Sequence, residues 1–148
     1  MKKTNNKGFS LVELIVVIAI MAVLIGVLAP TFTKYVERGR KSTDVQNAAA
    51  VVSAVETYTV DPMVAADDQV SSGATVTLSV GSAPTCTGNA DKALAAAGIS
   101  DVQLKSSKWG AGAASTVKIT FTVAADGSVT ATSDTASTDN DILAGTYK

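Results

Sequence analysis

A run of 20 residues without a formal charge, from Leu14 to Thr33, constrains this chain more than any other feature. A helix of about 20 apolar residues crosses the hydrocarbon core of a bilayer, which is roughly 30 Å thick. Glu13 stands immediately before the run, and an ionised side chain of the Asp type costs about 2.5 to 3.5 kcal/mol inside such a segment on insertion scales. We therefore expect a membrane-embedded helix and a positively charged partner for Glu13.

The residues around Glu13 form a motif. The stretch Gly8-Phe9-Ser10-Leu11-Val12-Glu13 follows a basic leader and enters the apolar run, which contains Pro30. This stretch resembles the class III signal of type IV prepilins, and the likeness covers roughly the first 45 residues. The resemblance implies that prepilin peptidase cleaves after Gly8, that the new terminus at Phe9 is N-methylated, and that Glu13 serves subunit assembly.

Cleavage at this place would supply the missing partner charge. It creates an α-amino group at Phe9, four positions before Glu13, and an ammonium is a natural counter-ion for a carboxylate in apolar surroundings. The pair can form within one helix, where these positions share a face, or between neighbouring subunits. The resemblance favours the pair between subunits, and the sequence itself leaves both open.

Two simpler interpretations begin with the same basic residues. A secretory signal has an apolar region of about 7 to 15 residues that ends at a small-x-small site. Here the uncharged run is longer, and the nearest such site, Val27-Leu28-Ala29, lies directly before Pro30. A plain N-terminal membrane anchor therefore remains the main alternative to a prepilin signal.

The pattern divides the chain into four segments. Residues 1–8 form a leader, 9–33 the apolar half of a long helix, 34–60 its amphipathic half, and 61–148 a globular domain. Small and apolar residues recur at three- and four-residue steps on one face of the amphipathic half, which we expect to be buried. These residues are Val45, Ala48, Ala49, Val52, Val55 and Thr59. Pro62 ends the helix because the residue before a proline is driven from helical geometry.

The globular segment is predicted to contain a short helix and several strands. The helix covers residues 91–98, and strict two-residue alternation predicts a strand at 116–123 that turns at Asp126-Gly127 into a second strand at 128–132. Further strands are predicted at 75–80 and 102–108. The fold class is therefore α+β, a long N-terminal helix whose C-terminal half packs on a small antiparallel sheet, as in the pilin fold.

Gly26 and Pro30 interrupt the helical propensity of the apolar run. Glycine lowers helix preference by about 1 kcal/mol, and proline removes one backbone donor, so we expect a kink or local melting between them. A kink without a role is the alternative, because membrane helices tolerate both residues. In pilins that this chain resembles, melting near this proline accompanies assembly.

Charge and composition exclude several functions. Residues 1–41 hold seven Lys/Arg and two Glu, a net charge of +5, whereas residues 42–148 hold five Lys/Arg and eleven Asp/Glu, a net charge of −6. An acidic outer domain predicts no direct nucleic-acid binding. The chain has no histidine and one cysteine, Cys86, without an adjacent base, so we expect neither an enzyme nor a cofactor.

Cys86 and three aspartates are further candidate sites. One cysteine cannot form an intrachain disulfide, so the chain departs from the many pilins that carry a C-terminal cysteine pair, and Cys86 is predicted to lie in a turn. Major subunits of type II secretion filaments use calcium, which makes Asp134, Asp139 and Asp141 candidate ligands by resemblance. No glycine-centred calcium loop accompanies them, so a solvated loop without metal is expected.

The resemblance implies a structural role. We expect a type IV pilus subunit, held in the cell membrane as a precursor and then assembled into a surface filament for adhesion, motility or aggregation. The alternative is a pseudopilin of a type II secretion system or a competence pilin for DNA uptake. The expected partners are further copies of the chain, prepilin peptidase, a membrane assembly platform and, before assembly, the lipid bilayer.

Overall fold

A single long helix opens the structure. The computed structural model describes residues 8–109, 116–135 and 140–147. Helix α1 spans Leu11–Thr59, 49 residues, with Pro30 inside it. The predicted end of the helix is confirmed, and its start lies two residues after the predicted Phe9. The chain divides into two compact units between Val36 and Glu37.

The first unit is an apolar helix whose side chains are exposed. Every Val, Ile, Leu and Met side chain from Leu14 to Leu28 is at least half exposed. By length and composition, α1 is long and apolar enough to cross a membrane, and it is the one such helix among the described residues. A helix that is apolar on all sides requires lipid or other protein around it.

The second unit combines the later part of α1 with a small sheet. Four strands pair antiparallel in the order β2-β1-β3-β4, and a two-stranded ribbon of β5 and β6 follows. This arrangement confirms the α+β class. The elements are β1 (Thr75–Ser79), β2 (Ser82–Cys86), α2 (Ala90–Ala96), β3 (Thr116–Val123), β4 (Val129–Ser133), β5 (Asn140–Asp141) and β6 (Thr146–Tyr147), with a 3-10 turn at Ala66–Asp68.

The core of the second unit joins α1 to the sheet. Strand β3 has the predicted alternation, and its Val117, Ile119 and Phe121 are fully buried. They belong to one cluster with Val51 and Val55 of α1. The predicted helix face is partly wrong, because Ala49 is exposed whereas Val51 is buried. Three- and four-residue steps fit either of two adjacent helix faces, and packing against the sheet selects one of them.

The predicted strand at 102–108 is wrong. Within it, Leu104 makes an isolated parallel bridge to Val80, and the rest of the segment is irregular. A carboxylate on α1 takes the place of a neighbouring strand: the Oδ1 atom of Asp44 accepts the amide of Lys105 at 2.6 Å, and its Oδ2 atom accepts that of Ser106 at 2.9 Å. The segment is thus attached to the helix rather than to the sheet.

Asp44 is the centre of a buried polar cluster. Its side chain is fully buried, and its Oδ2 atom also accepts the indole N–H of buried Trp109 at 2.8 Å. The Lys41 ammonium lies 5.4 Å from the Trp109 ring centroid, a cation–π distance. Burial lowers the pKa of Lys41, while Glu37 acts in the opposite direction. Glu37 also accepts a hydrogen bond from the Ser106 hydroxyl. These contacts fix the 104–109 segment on α1.

We expect Asp44→Ala to lower the free energy of unfolding by about 3 kcal/mol or more, because it leaves three N–H donors without their acceptor. Exposed Asp101 is the matched control, and Asp101→Ala should change stability by less than about 0.5 kcal/mol. Denaturant unfolding of the detergent-solubilised chain, followed by circular dichroism, measures both variants. Equal midpoints for the two would contradict the anchoring role of Asp44.

Candidate processing and assembly site

The predicted cleavage site lies just before α1. Gly8, Phe9 and Ser10 are non-helical and exposed, and the Phe9 side chain is 91% exposed. A Cβ atom added at Gly8 would meet no atom within 4 Å. The described structure therefore places no obstacle beside the Gly8–Phe9 bond, and it gives no packing reason for a glycine at position 8. A requirement for glycine there would have to come from the protease.

Glu13 forms half of a helix cap. The backbone N–H of Ser10 donates to the Oε2 atom of Glu13 at 2.8 Å, and the Ser10 carbonyl accepts the first helical hydrogen bond from the Leu14 amide at 3.3 Å. Ser10 is thus the N-cap residue and Glu13 the third residue of the helix, which is the placement of a capping box. A carboxylate in the first turn also interacts favourably with the helix dipole.

This capping role was not predicted from the sequence. The spacing Ser10-Leu11-Val12-Glu13 before an apolar run is the Ser-x-x-Glu signal of a capping box, and it could have been read directly. The described chain is uncut, so Phe9 contributes a peptide N–H rather than an amine. Pairing of Glu13 with a terminal ammonium stays a prediction for the processed protein. There the carboxylate would either bind the ammonium in addition to the Ser10 N–H or replace one of them by the other.

Helix α1 continues through Gly26 and Pro30. Pro30 has no N–H to donate to the carbonyl four residues earlier, which belongs to Gly26. The Thr31 hydroxyl donates to the Leu28 carbonyl at 2.7 Å, and the Thr33 hydroxyl donates to the Pro30 carbonyl at 3.1 Å. Local melting between Gly26 and Pro30 stays a prediction for the assembled state.

The aspartates of the C-terminal loop act as hydrogen-bond acceptors. Asp134 Oδ1 accepts the Lys118 amide at 2.9 Å, and Asp141 Oδ1 accepts the Leu143 amide at 3.0 Å. Asp139 lies outside the described residues. Within residues 8–109, 116–135 and 140–147, no group of three or more His, Cys, Asp or Glu side chains is placed to hold a metal ion.

Cys86 does not lie in the predicted turn. It is the last residue of strand β2, where it pairs with Val76 of β1 and is partly buried. The alternation of β2 was hidden by Pro84, which is tolerated because β2 is an edge strand. Burial raises the pKa of the Cys86 thiol, and Asp91 adds to that rise, so the thiolate that reacts with electrophiles is disfavoured.

Comparison with known proteins identifies the N-terminal segment. Residues 3–29 match the family described as the prokaryotic N-terminal methylation motif. The N-terminal segment therefore has the sequence of a prokaryotic N-terminal methylation motif. The chain is also similar to the prepilin peptidase-dependent protein A of Clostridium perfringens, with 39% identity over 74 residues. That alignment covers 50% of this chain, and the chain spans about half (49%) of the length of that relative. No solved structure matches the chain.

The prepilin helix start can be tested with two variants of Glu13. Glu13→Ala removes the acceptor of the Ser10 N–H and should destabilise the first turn by about 0.5 to 2 kcal/mol. Glu13→Gln keeps a side-chain oxygen at the same position and should retain the cap. Amide hydrogen exchange of Ser10 in detergent micelles measures the difference. Equal exchange rates in both variants would mean that the cap does not depend on this side chain.

Proposed function

We propose that this chain is a structural subunit of a type IV pilus. It is cut after Gly8 by prepilin peptidase, methylated at Phe9, held in the membrane, and then polymerised with copies of itself through its N-terminal helix on a membrane assembly platform. The filament serves adhesion, motility or aggregation. The single observation that carries the proposal is the exposed apolar helix of the first unit, which lies within the match to the methylation motif at residues 3–29.

The physical support is that an apolar helix of this kind can be surrounded either by lipid or by other copies of itself. A helix with at least half-exposed apolar side chains on every side can be stored in lipid, and packing among copies of itself would replace the lipid. The acidic residues after position 41 and the leader lysines suit a chain whose N-terminus faces the cytoplasm. The printed name of the Clostridium relative supports processing by prepilin peptidase.

Gly8 tests the processing step. Replacing Gly8 by a bulky residue such as Phe should leave an uncut precursor, because a Cβ atom at this position meets nothing within 4 Å and the proposed requirement for glycine is that of the peptidase. Mass spectrometry of membrane fractions measures the outcome as a chain longer by residues 1–8. A matched substitution at exposed Gly39 should leave processing intact. Normal cleavage of the Gly8→Phe chain would contradict the assigned site.

Glu13→Gln separates the charge of Glu13 from its capping role. The amide can still cap the helix, but it carries no charge for the terminal ammonium of a neighbouring copy. We expect the variant to be processed and inserted into the membrane normally. Its incorporation into filaments beside wild-type subunits should fall at least about tenfold, because the terminal ammonium of the neighbouring copy would be left as an unpaired buried charge. Immunoblots of sheared filaments measure incorporation. A normal yield would rule out the charge pair.

The task of the filament is a separate question with its own experiment. Deletion of the gene, scored in parallel for twitching and adhesion, for protein secretion and for DNA uptake, distinguishes a pilus from a pseudopilin or a competence pilin. Loss of adhesion or motility alone supports the pilus. Loss of secretion alone supports a pseudopilin. Loss of transformation alone supports a competence pilin.

A further inference from the structure

The positive charge of the second unit is concentrated in two segments. Residues 37–44 and 103–109 together hold five Lys/Arg and two Asp/Glu, a net charge of +3. The rest of the unit, residues 45–102 and 110–148, holds three Lys/Arg and ten Asp/Glu, a net charge of −7. The two basic segments are far apart in sequence, so the fold decides whether they act together.

Hydrogen bonds bring the two basic segments together. Asp44 of α1 accepts the amide of Lys105 at 2.6 Å and that of Ser106 at 2.9 Å. The Ser106 hydroxyl donates to Glu37 of α1, and the Lys108 amide donates to the Ser106 Oγ atom at 3.1 Å. Lys105 and Lys108 are therefore held beside the basic part of α1.

Four exposed cations of these segments form a surface that we call the basic collar: Arg38, Arg40, Lys105 and Lys108. The Arg40 side chain is 56% exposed, and the other three residues are exposed as well. Glu37 lies 3.8 Å from Arg40. No carboxylate among the residues that the structure describes forms an ion pair with the other three cations. Their charge is thus available to an anion from outside the chain.

The two acids within the basic segments are already bound inside the protein. Asp44 is fully buried and accepts three N–H donors. The Glu37 side chain is only 19% exposed and accepts the Ser106 hydroxyl. Lys41 is buried against Trp109 and does not belong to the collar. The surface that remains for a partner is therefore positive.

The collar follows closely after the part of the chain that requires lipid. Tyr35 stands just after the uncharged run and is 68% exposed, and tyrosine is enriched at membrane–water interfaces. Arg38 is three residues further on, a stretch that spans at most about 11 Å even when fully extended. A headgroup layer is about 5 to 8 Å thick, and the screening length in physiological salt is about 8 Å. Arg38 is thus within electrostatic reach of the headgroups in any orientation of the second unit.

We propose that the basic collar binds the phosphate groups of anionic phospholipids while the chain is held in the membrane. The inference rests on the membrane storage in the proposed function above. The two guanidinium groups match phosphate oxygens in a bidentate manner, and the two lysines add compact charges. Exposed cations on two segments suit a surface of many headgroups better than one enclosed anion.

An acidic surface on a second copy of the chain would have similar chemistry. Lipid is the better match for the stored chain, because the apolar run that precedes the collar already requires lipid around it. Headgroups are then present at the collar without a further association step, whereas a second copy has to be brought there. Bound headgroups would keep the second unit at the membrane surface until assembly removes the chain from lipid.

Lipid selectivity tests the collar. The full chain is reconstituted into phosphatidylcholine vesicles that contain spin-labelled phosphatidylglycerol or spin-labelled phosphatidylcholine, and the motionally restricted fraction of each label is measured. Wild type should select phosphatidylglycerol, and high salt should weaken the selection. The triple variant Arg38→Gln, Lys105→Gln, Lys108→Gln should lower the selectivity at least about fivefold, since one basic residue near an anionic surface strengthens binding about that much.

Two matched variants isolate the collar charge. The triple variant Arg38→Lys, Lys105→Arg, Lys108→Arg keeps every charge and should retain the selectivity. Lys118→Gln removes one exposed lysine on the face of β3 opposite the core, and it should have no effect, whereas Lys108→Gln should lower the selectivity. The leader lysines are present in every variant, so they do not contribute to the differences. Unchanged selectivity in the glutamine triple variant, or an equal loss in Lys118→Gln, overturns the proposal.

Two further measurements separate the lipid from other anions and from the filament. Millimolar inorganic phosphate at constant ionic strength should leave the selectivity unchanged, and its loss would indicate a site for a soluble anion and overturn lipid binding. A glutamine triple variant with a lower yield of sheared filaments and unchanged selectivity assigns the collar to a contact between copies, which overturns lipid binding and leaves the pilus function standing. Wild-type chains that select phosphatidylglycerol through the collar and never form filaments support the collar and contradict the pilus function.

Discussion

The exposed apolar surface of the N-terminal helix is the constraint on which the rest of this protein depends. Water cannot surround this surface without a large free-energy cost, since each buried CH₂ group is worth about 0.8 kcal/mol. The second unit has its own apolar core, and the apolar side chains from Leu14 to Leu28 are at least half exposed. Lipid or other protein must therefore surround this part of the helix.

The second unit is stabilised by its apolar core and by buried hydrogen bonds. Its core is apolar, but the buried carboxylate of Asp44 binds the irregular segment before residue 110 through three N–H donors, and Glu37 and Asn47 add one hydrogen bond each. Leaving any of these buried donors without its acceptor would destabilise the segment. This arrangement secures the segment without a disulfide, and Cys86 lies instead in strand β2. In this chain, hydrogen bonds to Asp44 attach the segment to α1.

Glu13 caps the helix in the structure, and the proposed charge pair would give it a second role. In the uncut chain its carboxylate caps α1 through the Ser10 amide. After cleavage the proposed partner of the same carboxylate is the terminal ammonium of a neighbouring copy. Capping keeps the acid at the helix start in a defined rotamer, which lowers the entropic cost of a later charge pair.

Local patterns predicted most of the fold. The helix end before Pro62 and the hairpin of β3 and β4 followed from proline chemistry and strict alternation, both of which act between near neighbours in sequence. Strand β2 and the irregular course of 102–108 did not follow, because Pro84 masked the first and a distant carboxylate decided the second. The Ser10–Glu13 cap was available in the sequence and was overlooked.

The sequence by itself determined that an uncharged helix must leave water and that the stretch from Gly8 to Glu13 at its start resembles a prepilin signal, since charge and motif spacing are properties of the chain alone. Only the tertiary structure decided which face of α1 is buried, where Asp44 finds its donors, and which small residues stay exposed. Those outcomes depend on contacts between residues about 60 positions apart, such as Asp44 with Lys105, whose partners no local pattern specifies.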